Sequence, residues 1–74
     1  METRDKAGKF QMLAERRVNN AIKNLRLVGN LSNKNNYHYT DDDIRKIMNA
    51  LDGELKDLRS KFAKSKRVKQ KFRL

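Results

Sequence analysis

Eight cations crowd the last sixteen residues of the sequence, Arg59, Lys61, Lys64, Lys66, Arg67, Lys69, Lys71 and Arg73, and no acid stands among them. Such a density makes a potential well for phosphates, and binding there releases condensed counterions. A second candidate group lies mid-chain, where Lys34 stands among Asn30, Ser32, Asn33, Asn35 and Asn36 and is followed by Tyr37, His38 and Tyr39. Rings stack on any unpaired base and amides bond base edges, so this segment suits single-stranded nucleic acid. The same residue types also build turns, because Asn and Ser bond locally to backbone.

Other chemistry is poorly served. His38 is the sole histidine and the chain has no cysteine, which excludes thiolate metal sites and a disulfide framework. The run Asp41, Asp42, Asp43 offers three carboxylates, but neighbours on a helix point in different directions and cannot close one coordination shell. Capping a helix is the simpler role for them. No phosphate loop, nucleophile elbow or spaced acid pair is present. The chain therefore reads as non-enzymatic, with no metal and no cofactor.

Two amphipathic elements must position these groups. From Phe10 to Val28 the apolar residues Phe10, Ala14, Val18, Ala21, Ile22, Leu25 and Val28 recur at helical spacing and share one face. This spacing predicts a helix over about residues 9–28. Thr3 or Asp5 is a candidate cap, Gly8 weakens the first turn, and Gly29 is a candidate left-handed stop. On the opposite face Lys9, Arg16, Lys23 and Arg26 form a cationic row that can follow a phosphate backbone or simply meet solvent. Met12 and Leu27 share that polar side with Leu13 at its margin, a candidate protein contact.

The second helix has a sharper start. Thr40 is the predicted N-cap, Asp43 falls at the N3 position of a capping box, and Tyr39 can staple onto Ile44. Beyond it Ile44, Met48, Leu51, Leu55, Leu58 and Phe62 step by 4, 3, 4, 3, 4, a regular heptad seam. The seam would continue at Ser65 or Lys66 and then Lys69, all polar, so the packed helix is expected to end near Ala63. The segment beyond Ala63 is either a disordered basic arm or helix with nothing to pack on.

The expected architecture is all-α: an antiparallel two-helix hairpin over residues 1–63, with helices at about 9–28 and 41–63, a long polar loop at 29–40, and a basic tail at 64–74. Cores of chains this short rarely supply more than about 3–5 kcal/mol, so extra burial, including dimerisation to a four-helix bundle, fits the composition. The formal charge is +10 over 74 residues, with 36% hydrophobic and 38% charged. It divides into +5 for residues 1–40, −3 for 41–58 and +8 for 59–74. No apolar run nears the roughly 18 residues of a membrane span, and METRDKAGKF lacks the apolar stretch of a signal peptide. A cytoplasmic protein without an integral membrane segment is the expectation.

The stretch RVNNAIKNLRLVGNLSNKNNYHYT, with the acidic helix start after it, resembles a recurring type of small helical protein in bacterial, phage and plasmid genomes. The resemblance spans residues 10–62 and implies no settled activity; the basic tail lies outside it. A basic two-helix hairpin is also similar in shape to small helical ribosomal proteins, an analogy that does not fix function.

The functional expectation is a nucleic-acid-binding accessory protein, favouring RNA or a ribonucleoprotein. The eight tail cations would hold phosphates, Arg16, Lys23 and Lys34 would add cationic contacts, and Tyr37 and His38 with the loop amides would supply base or shape preference. The alternative is a protein-binding regulator from a phage or mobile element, such as an anti-CRISPR-type inhibitor of a nucleic-acid enzyme. It would dock through the loop and the Met12, Leu13 and Leu27 patch, with the tail steering it to an acidic surface or an occupied nucleic-acid channel.

Overall fold

The computed structural model describes the backbone of residues 2–71 and the side chains of residues 5–65. Two long helices, α1 (Glu2–Gly29) and α2 (Asp41–Lys71), account for most of it, with a 3-10 turn at Asn30–Ser32 between them. The protein is all-helical, without strand among the described residues. It divides into two units, Met1–His38 and Tyr39–Leu74.

In the first unit α1 begins at Glu2, well before the expected start near Lys9. Thr3 and Asp5 accordingly lie within the helix and do not cap it. The physical reason is that one glycine costs a helix only about 1 kcal/mol against alanine, too little to stop propagation through Lys6, Ala7 and Lys9. The other end falls at Gly29, as expected, but without the expected conformation. Gly29 has φ −60° and ψ −31°, ordinary right-handed helix, and no glycine among the described residues has a positive φ. The helix therefore tightens into the 3-10 turn instead of closing on a left-handed glycine, and the chain becomes extended at Asn33, φ −71° and ψ 103°.

Asn33 then organises the loop. Its carbonyl accepts the N–H groups of Asn36 at 3.1 Å and Tyr37 at 3.0 Å, while its side-chain oxygen accepts the Asn35 N–H at 3.0 Å. Side-chain mimicry of a backbone turn is what asparagine does well. The many amides of this segment are thus partly engaged in shaping it.

The second unit opens with the capping box. The Thr40 hydroxyl accepts the Asp43 N–H at 3.1 Å, and the Asp43 carboxylate accepts the Thr40 N–H at 2.9 Å. Aspartate fills the place more often given to Glu or Gln. The Ile44 N–H to Thr40 carbonyl bond, 3.2 Å, is the first of the helix. From there α2 runs without a break to Lys71, past the expected end near Ala63. Exhaustion of the apolar seam does not end a helix; a breaker does, and after Gly53 the sequence has neither glycine nor proline. Lysines and arginines propagate helix well, and at its C-terminal end they offset the macrodipole. Of the two states open to the basic segment, the structure adopts the helical one as far as Lys71.

Among the described residues no side chain is buried, and only Leu13, Ala14, Tyr39 and Leu51 are half-buried. Each helix keeps its apolar stripe facing solvent, from Phe10 at 59% exposed in α1 to Phe62 at 57% in α2. Among the described residues no helix is long and apolar enough to cross a membrane.

Candidate nucleic-acid interface

The first unit carries Arg16, Lys23, Lys34, Tyr37 and His38, all exposed. Arg16 and Lys23 are seven residues apart on α1, which puts them on one face at a rise of about 10.5 Å. Lys9 extends the row by the same step towards the N-terminus. Tyr37 comes after the Asn33 turn, its N–H held by the Asn33 carbonyl and the residue 48% exposed, so the turn presents it on a fixed backbone. Met12 and Leu27, on the cationic side of α1, are 54% and 55% exposed; Leu13 is half-buried. Leu13 sits one turn from Lys9, Phe10, Arg16 and Arg17, long side chains that flank it at helical spacing.

The second unit carries the tail. Arg59, Lys61 and Lys64 are exposed on α2. Lys66, Arg67, Lys69 and Lys71 belong to the same helix by their backbone, but their side chains lie outside the described residues, and Arg73 lies outside them altogether. At 100° per residue the positions of these seven helical cations turn through the whole circumference.

The acids at the other end of α2 have partners. Asp43 closes the capping box, and Asp42 pairs with Arg45 at 2.9 Å and with Lys46 at 3.4 Å. Local electrostatics and capping account for both carboxylates. A surface groove on α2 is lined by Asn49, Asp52, Gly53, Leu55, Lys56 and Arg59. It mixes both charges and presents no convergent set of donors.

What sequence reasoning left open is the shape of the tail, between helix and disordered arm. The signal that favours helix is a long stretch free of glycine and proline. The units divide between His38 and Tyr39, so the loop aromatics Tyr37 and His38 belong with α1 and the tail with α2. No family model, curated protein or solved structure matches the chain.

Proposed function

We propose that the protein is a non-enzymatic nucleic-acid-binding accessory protein whose basic C-terminal helix binds phosphates. One observation carries the reading: a run of +8 charge with no acid over residues 59–74, seven of whose cations stand on a helix continuous to Lys71. A cationic helix follows a phosphate backbone without needing base contacts. The exposed Tyr37 and His38, with Lys34, supply stacking and shape preference that favours RNA or a ribonucleoprotein over sequence-read duplex DNA. Arg16 and Lys23 add a second, weaker phosphate row. The apolar stripes of α1 and α2 provide a pairing surface, within one chain as an antiparallel hairpin or between two chains as a four-helix bundle. In this reading the protein works in the cytoplasm and needs no metal or cofactor.

The test is binding to single-stranded RNA and to duplex DNA as a function of salt. Expected is a log–log slope of roughly −0.7 per phosphate neutralised on RNA, lost when the eight tail cations are changed to Gln with helicity kept. Equal affinity in that variant ends the proposal.

A second reading is favoured by Met12 and Leu27, which stay exposed on the cationic side of α1. It makes the protein a phage- or mobile-element regulator that docks on an acidic protein surface. Stoichiometric copurification with one protein after nuclease treatment, lost in Met12→Ser with Leu27→Ser, distinguishes it.

A further inference from the structure

The α2 seam faces solvent in a unit that contains no second helix. Ile44, Met48, Leu55, Leu58 and Phe62 are all at least 41% exposed, and Leu51 is half-buried. We propose that a second copy of this chain covers it, the two α2 helices pairing antiparallel. Ile44 of one copy then lies level with Phe62 of the other, Met48 with Leu58, and Leu51 with Leu55. The proposal concerns self-association alone and does not depend on nucleic-acid binding.

Three observations select this occupant and this direction. First, the spacing 4, 3, 4, 3, 4 is the same read from either end, so a reversed copy brings all six layers into register. Second, charge on α2 is divided along its length, −3 over residues 41–58 and +8 over 59–74. A parallel pair would stack the two cationic ends on each other, whereas in the antiparallel register Arg59, Lys61 and Lys64 come beside the end of the partner helix that carries Asp41, Asp42 and Asp43, and the later cations fall past that helix's first residue. Third, the positions that extend the seam repeat this division. One step before Ile44 stands Asp41; the steps after Phe62 are Ser65 or Lys66 and then Lys69.

The same charge argument sets α1 aside as occupant of the seam. Residues 2–29 hold seven cations and three acids, Glu2, Asp5 and Glu15, and offer the tail no acidic stretch of matching length. A second α2 does. Gly53, at the middle of the seam by number, falls on the opposite side of the helix, where an added Cβ would meet nothing within 4 Å. The outer face at the pair's centre is therefore open.

Direction can be read with single cysteines, because the chain has none of its own. Asp52 lies at the seam's edge beside the two-fold axis, offset from its own copy by about 3 Å along the helix at 1.5 Å per residue. Ser65 lies one step beyond the seam, level with its copy in a parallel pair but roughly 36 Å from it in the antiparallel one. The experiment is sedimentation equilibrium of the full chain, then oxidation of Asp52→Cys and Ser65→Cys. Expected are a concentration-dependent dimer, rapid interchain disulfide formation by Asp52→Cys, and little by Ser65→Cys. Leu51→Asn should weaken association at least tenfold; the cysteine variants keep the seam intact and report direction even where Leu51→Asn costs helix. A monomer at every concentration, or preferential cross-linking through Ser65→Cys, overturns the proposal.

Discussion

α1 and α2 are nearly equal in length and both amphipathic, yet they distribute charge along different axes. In α1 the division runs across the helix: Lys9, Arg16 and Lys23 lie opposite Phe10, Ala14, Val18 and Leu25. In α2 it also runs lengthwise, from Asp41, Asp42 and Asp43 at the start to Arg59, Lys61, Lys64 and the cations beyond. Charge divided across a helix tells it which side to turn towards a surface. Charge divided along a helix also tells it which way to point, and it concentrates the field at one end. Two helices of similar composition are thus suited to different work.

The largest expected effect breaks the comparison at that cationic end. Changing Arg59, Lys61 and Lys64 to Gln should lower the salt slope on single-stranded RNA by roughly 2, at about 0.7 per lost phosphate contact. At moderate salt this amounts to a fall in affinity of about tenfold or more. Changing Arg16 and Lys23 should cost clearly less, because those cations stand in a sparser row with acids nearby. Titration of both variants over a salt series measures the difference; equal losses would mean that lengthwise division carries no functional weight.

Next in size is the start of α2 against the end of α1. Thr40→Ala removes the hydroxyl that accepts the Asp43 N–H and should cost α2 about 1 kcal/mol. Loss of helicity on heating, monitored by circular dichroism, checks it. Gly29→Ala goes the other way. A left-handed glycine would make alanine destabilising, but Gly29 is right-handed with open space where a Cβ would stand. The substitution should therefore raise helix stability by up to about 1 kcal/mol. A destabilised Gly29→Ala would restore the glycine as a terminator.

These two junctions show how much was legible in the sequence. The start of α2 could be read in full, because Thr40 and Asp43 fix each other's backbone N–H groups by spacing alone. The heptad seam was equally plain. The end of α1 was legible in position, at Gly29, but not in conformation, and its start was not legible: Gly8 and Gly29 carry permissive backbones, and permission is not instruction. Nor did the polar end of the seam stop α2, since propagation depends on local propensity while the seam concerns what the helix packs on. Of the candidate site, the tail's helical form was one of two states left open, and the use of Asn33 as the pivot of the loop was not readable.

Gly53→Ala sharpens the contrast inside α2. Its Cβ would meet nothing within 4 Å, so the change should stabilise the helix by somewhat under 1 kcal/mol without touching the seam. Thermal melts should rise while self-association stays level. A loss of association would show that the outer face near the middle of α2 is itself a contact.

The smallest expected effect separates two neighbouring carboxylates. Asp42 pairs with Arg45 and Lys46, side chains that are 66% and 77% exposed, whereas Asp43 bonds the Thr40 backbone. Exposed pairs at this spacing are worth roughly 0.3–0.5 kcal/mol and are screened by salt. Asp42→Asn should therefore lower the thermal midpoint slightly in dilute buffer and hardly at all near 1 M salt, where the screening length is about 3 Å. Asp43→Ala removes a hydrogen bond from a backbone group that has no helical partner, so its larger cost should persist across the same salt range. If both variants lose their effect in salt, the acidic start of α2 works as a block of charge. If only Asp42→Asn does, one of these carboxylates sets where the helix begins and the other contributes to the lengthwise field that gives α2 its direction.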